Sequence, residues 1–199
     1  MAAAQNPEEA LELLLEGNRR HQAGKVELRD HSPAKDRANG QMPFAAIISC
    51  ADSRVSPTLI FDVERGNIFT SKVAGNVIDP GTLGSTEFAV KVLGVKLVMV
   101  LGHSDCGAVK AAMEVADGTA TYPPETYGAI GEVVGRVVPP VQGVSPGERT
   151  LPGCISANAR AQADEIASRE PIIKQAIADR QIDVVAAVYE IATGEVSLL

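Results

Sequence analysis

Two cysteines, a histidine, an aspartate and an arginine occupy two short stretches of this chain, Cys50-Ala51-Asp52-Ser53-Arg54 and His103-Ser104-Asp105-Cys106-Gly107. Thiolate and neutral imidazole are good zinc ligands and zinc takes four, so Cys50, His103 and Cys106 would leave one position for Asp52 or for water. Taken singly these residues carry little weight. A lone cysteine at a strand end is ordinarily a small buried hydrophobe, and a lone loop histidine is ordinarily solvated. Asp52 and Arg54 alone would be a local surface ion pair worth less than about 1 kcal/mol. The set gains meaning only if the fold brings both stretches to one place. Cys154 has no ligand-type neighbour in sequence and reads as a buried thiol, while His21 and His31 lie in polar surroundings and read as surface residues.

Each stretch follows a short apolar run, FAAIIS (44–49) and KLVMVLG (96–102), and two similar runs occur at NIFTSKV (67–73) and DVVAAVY (183–189). Their length, branched residues and bounding turn residues predict buried strands. Helical spacing at 81–94, 106–116, 154–170 and 171–180 alternates with them. The pattern predicts an α/β fold: a mainly parallel central sheet of about four strands with an added C-terminal edge strand, and helices on both faces. Sites in such folds gather at the carboxyl ends of strands, which is where both stretches fall. Asn6, Pro7, Glu8 and Glu9 predict a helix over 7–22. Its Leu11, Leu14 and Leu15 share a face and Leu13 lies off it, so the helix is expected to pack on a partner subunit as well. Residues 25–42 read as an extended connection, and 117–153, rich in Pro and Gly, as the least regular part.

The 199 residues are expected to form a single domain, 1–199, and the net charge of -7 without a basic stripe excludes nucleic acid as the natural partner. The longest apolar runs fall far short of the roughly 20 residues that span a bilayer, so no membrane partner is expected. The N-terminus lacks a basic region ahead of an apolar one, which points to the cytoplasm unless an export signal has been removed. Three cysteines, an odd number, argue against a disulfide framework.

CADSRV and HSDCGAV together resemble the paired signature of the beta-class carbonic anhydrases, and the resemblance runs from EALELLLEGNRRHQAG to the closing VYEIATGEV. It implies one zinc ion per subunit on Cys50, His103 and Cys106, and reversible hydration of carbon dioxide to bicarbonate and a proton by zinc-bound hydroxide. The family's Asp–Arg pair falls on Asp52 and Arg54. Paired, they leave the fourth zinc position to water; released, Asp52 itself becomes a ligand and closes the site. The resemblance also assigns Gln41, Phe69 and Phe88 to the substrate pocket of a partner subunit in a homodimer or dimer of dimers. Gly107, opening a helix, could meet a bicarbonate oxygen with backbone N–H groups. Two thiolates should weaken the metal's acidity and shift activity to alkaline pH. Departures from the family occur where some members bind regulatory bicarbonate through Trp, Arg and Tyr. Those positions are Ile47, Lys72 and Tyr189 here, and the segment KVAGN (72–76) replaces RNVAN. Hydrolysis of carbonyl sulfide or carbon disulfide, a closed structural zinc site, and thiol redox chemistry are the competing readings.

Overall fold

A computed structural model describes residues 4–199, the side chains of 36, 37 and 39 excepted. In chain order its elements are α1 (Pro7–Gln22), α2 (Pro33–Asn39), β1 (Ala45–Ser49), α3 (Pro57–Ile60), β2 (Ile68–Lys72), α4 (Pro80–Phe88), β3 (Leu97–His103) and α5 (Gly107–Ala116), followed by α6 (Pro124–Tyr127), α7 (Ile130–Gln142), α8 (Leu151–Ala167), α9 (Ile173–Ala178), β4 (Asp183–Tyr189) and β5 (Val196–Leu198). The strands form one sheet in the order β2-β1-β3-β4-β5. β1 pairs in parallel with β2 and β3, β3 in parallel with β4, and β5 is antiparallel to β4. The expected fold is the one observed, with the predicted strands shifted by a residue at most.

Strands β1 and β3 are buried at every position, which is why they read as continuous apolar runs. Alternate side chains serve opposite faces. Ala45, Ile47, Leu97, Met99 and Leu101 pack with Leu14 and Ala10 of α1 and with Phe61. Ala46, Ile48, Val98 and Val100 pack on the other face with Ile166 of α8 and Ile173 of α9.

Helix α1 starts as its sequence requires. Asn6 Oδ1 accepts the Glu9 amide at 2.9 Å and Pro7 fills the first helical position. The helix lies on its own sheet, and Leu11 and Leu13 pack against the same cluster as Leu14. Leu11, Leu13 and Leu15 stay only partly buried within the single chain. Gly17 permits the approach: a Cβ there would sit 1.7 Å from the Phe61 carbonyl oxygen. Asn18, buried beside it, donates to the carbonyls of Ile60 and Gly194 at 3.2 and 2.8 Å and accepts the Val196 amide at 3.0 Å, joining α1 to both ends of the fold.

Three expectations need correction. The segment 117–153 contains the 13-residue helix α7, whose Val134, Val137 and Val141 recur at helical spacing and are buried; Pro139 and Pro140 near its end masked the pattern. Helix α8 begins at Leu151, capped by Thr150, so Cys154 lies inside the helix and not at its start. His21 is half-buried: its Nε2 is 3.4 Å from the Tyr189 hydroxyl. His31 is exposed, as expected. Helix α2 also lies within 25–42, which reads in sequence as an extended connection, and the short helix α3 lies between β1 and β2.

Candidate metal centre

Parallel pairing of β1 with β3 sets Ser49 opposite Leu101, so Cys50 leaves its strand level with the end of β3. His103 is the last residue of β3, one position earlier than the sequence suggested, and Cys106 precedes α5 directly. The ligand atoms of Cys50, His103 and Cys106 all lie within 4.8 Å of one another, and the three residues are buried. Two stretches about fifty residues apart thus form one cluster, because both strands end at the same sheet edge.

The donor chemistry fits a zinc ion. His103 Nδ1 is 2.8 Å from the Ser104 carbonyl, an acceptor, which places the proton on Nδ1 and the free lone pair on Nε2. Nε2 is buried without a well-formed hydrogen bond and faces the Cys50 sulfur, which raises the imidazole's pKa against the opposing effect of burial. The two sulfurs divide a proton: a hydrogen bond from Cys106 lowers the Cys50 thiol's pKa, and the same contact, with burial, raises that of Cys106. A divalent cation would replace that shared proton and take the orphaned nitrogen as a third ligand. Cys50 Sγ also accepts the Gly75 amide at 3.4 Å.

Asp52 is the one expected ligand outside the cluster. Arg54 grips it at two points, Nε to Oδ1 at 3.0 Å and Nη2 to Oδ2 at 2.8 Å, and the Arg54 backbone amide adds a bond of 2.9 Å to Oδ1. This guanidinium holds the Asp52 carboxyl well below the usual carboxylate range. Sequence reasoning did not find the supports around the pair. Lys72 Nζ donates to the carbonyls of Val55 and Asp52 at 2.6 and 3.3 Å, tying down the loop. Arg54 Nη1 also lies 3.8 Å from Asp105, which pairs with Lys110. Lys72 was visible as a charge on an outer strand, but its target depends on strand register.

The pocket residues lie apart from the cluster of their own chain. Gln41 precedes β1, at the amino end of the strand whose carboxyl end leads to Cys50. Phe69 is paired with Ala46, four residues and about 13 Å short of Cys50 along the strand. Its ring stacks at 6.3 Å centroid distance on Phe88, which is 48% exposed. Gly107 is exposed at the start of α5 with open space where a Cβ would stand. Cys154 is buried in the packing between α8 and its neighbours, as a structural thiol should be.

Comparison with known proteins agrees with this geometry. The carbonic anhydrase family model matches residues 45–196. Carbonic anhydrase 2 of Mycobacterium tuberculosis is 45% identical over 139 residues, 68% of this chain and 65% of the relative's length. The carbonic anhydrase of Mycolicibacterium smegmatis is 34% identical over 197 residues, 97% of this chain and 93% of the relative. One of two tetrameric beta-carbonic anhydrases from Sordaria macrospora superimposes with a TM-score of 0.70 at 23% identity, covering 92% of this chain and 90% of that one. The chain belongs to the beta-class carbonic anhydrase family. The members of this family are zinc enzymes, and the Cys50, His103 and Cys106 cluster fits that metal.

Proposed function

We propose that this protein catalyses the reversible hydration of carbon dioxide to bicarbonate and a proton, with one zinc ion held by Cys50, His103 and Cys106. One observation carries the reading: three buried ligands converge while Asp52, the nearest candidate for the fourth, is engaged by Arg54. That arrangement suits a catalytic site, which keeps a position free, better than a closed structural one. Bound zinc supplies Lewis acidity that lets water ionise near neutral pH.

The chain's own residues do the rest. Asp52, kept ionised by Arg54, would accept a hydrogen bond from the nucleophile and so fix the direction of its lone pair. The His103 Nδ1–H bond to the Ser104 carbonyl keeps Nε2 facing the two sulfurs. Lys72 holds the carbonyls on either side of Ser53 and Arg54, so the Asp52 loop stays in place while protons move. Gly107 offers unobstructed backbone for a bicarbonate oxygen at the start of α5.

Gln41, Phe69 and Phe88 complete the pocket from a second copy of the chain. The support is their placement: none lies at its own metal cluster, and the stacked pair Phe69 and Phe88 leaves half of Phe88 exposed. A dimer or dimer of dimers follows, in keeping with the tetramers named for the Sordaria proteins. Stopped-flow measurement of carbon dioxide hydration, with zinc content determined on the same samples, tests the proposal. Activity that tracks zinc supports it, and zinc-loaded protein without activity between pH 7 and 9 would overturn it.

A further inference from the structure

We infer that Asn158 and Gln162, one turn apart on α8, are positioning residues for the metal centre, acting through the backbone amide of Gly75 on the sulfur of Cys50. Both are polar and nearly inaccessible, at 1% and 3% exposure. Burying a side-chain amide costs free energy unless its bonds are made. Theirs are made to the turn that follows β2. Asn158 Nδ2 donates to the Gly75 carbonyl at 2.9 Å, and Gln162 Oε1 accepts the Ile78 amide at 2.8 Å. Gln162 Nε2 reaches Asn158 Oδ1 at 3.4 Å, and Arg136 of α7 donates to the Ile78 carbonyl at 3.0 Å. Residues 75–78 are thus held at both ends from the helices.

The held segment presents the Gly75 amide to Cys50 Sγ at 3.4 Å. Gly75 has φ of +71°, and a Cβ there would sit 3.0 Å from Val137 Cγ2 and 3.1 Å from Ala108 Cβ, so the turn is closely cradled. An N–H bond to a thiolate draws charge from the sulfur and fixes its direction. With two thiolates in the ligand set, that withdrawal offsets part of the charge they donate to the metal. The inference rests on Cys50 being a zinc ligand; it does not depend on which substrate the enzyme turns over.

The test uses the full chain loaded with cobalt(II), whose sulfur-to-metal absorption band reports thiolate charge, and with zinc titrated against a chromophoric chelator. In Asn158→Leu, folded by circular dichroism, the band is expected to move to lower energy and zinc affinity to fall about 10- to 100-fold. A variant that loses thermal stability while band and affinity stay at wild-type values would overturn the inference and leave only a packing role. The wild type gives an independent check if the variant does not fold. Loaded with cadmium-113, it should show scalar coupling between the metal and the Gly75 amide proton, and absence of that coupling overturns the inference. Wild-type protein that takes up no metal refutes the zinc reading itself; metal uptake and activity with no Gly75 coupling refute this inference alone.

Discussion

Asp52 and Arg54 are two residues apart in the chain and face each other through two parallel charge-assisted hydrogen bonds of 3.0 and 2.8 Å, on a loop whose preceding residue, Cys50, belongs to the metal cluster. On the proposed reading, this pair sets whether a carboxylate stands beside the metal or on it. Asp52→Asn keeps the shape but loses the negative charge and replaces one acceptor oxygen with an NH2 donor, which weakens both its grip on Arg54 and its hold on the nucleophile. Zinc content should hold while hydration of carbon dioxide falls by about 10- to 100-fold, read by stopped-flow assay beside metal analysis. Arg54→Lys should recover only part of wild-type activity, because an ammonium offers no planar fork.

Metal uptake should release protons in a way set by the two sulfurs. Without metal, the contact between the two sulfurs favours the thiolate on Cys50 and the thiol on Cys106. Zinc binding at pH 8 should therefore expel about one proton per site, measurable by calorimetry in buffers of different ionisation enthalpy. Release near zero would show that Cys106 is not a ligand. Cys106→Ser should lose tight zinc binding, while Cys154→Ser should keep it.

Acid stability should depend on Asp62. Burial alone would raise the pKa of this carboxyl, but Arg29 and Arg20 hydrogen-bond it and the net shift is downward. Arg20 Nε is 2.6 Å away, and Arg29 contributes a second close ion pair. A lowered folded-state pKa means that the stabilisation is present above the unfolded carboxyl's pKa, near 4, and is lost as pH falls through the lower folded value. Asp62→Asn tolerates the same left-handed backbone, φ of 42°, yet removes the buried carboxylate shared by both guanidiniums and leaves them the exposed Glu27. It should cost about 2–4 kcal/mol at pH 7, and the difference from wild type should shrink below about pH 4 in urea unfolding.

Two glycines separate close packing from helix propensity. Gly17→Ala would force α1 off Phe61 and should destabilise the fold by about 1–3 kcal/mol. Gly84, exposed on α4, has nothing within 4 Å of a built Cβ, and Gly84→Ala should stabilise by about 0.5–1 kcal/mol. Thermal melts of the two variants should move in opposite directions.

Self-association should depend on Phe88, the exposed member of the aromatic pair. Phe88→Asp is expected to weaken it and to lower activity together with it, as seen by sedimentation velocity and assay at matched concentrations. A variant that is monomeric and fully active would remove the partner subunit from the pocket.

The local signals in the sequence were sufficient for the strands and the N-terminal helix, and they supplied the three ligand-type residues that the fold gathers into one cluster. Buried strands must be apolar throughout, helix starts need capping groups, and the ligand types are chemically distinctive. The helix α7 was missed because two prolines obscured a valine stripe whose meaning depends on what it packs against. Tertiary structure decided what depends on register and on contacts across the sheet. These include the level at which Cys50 meets His103 and Cys106, Arg54 as the partner of Asp52 in place of the metal, and the reach of Lys72 to Val55. They also include the tie from Asn158 through Gly75 to Cys50. The chain listed the candidate ligands, but such relationships are distances between residues far apart in sequence, and only the paired strands and packed helices fix them.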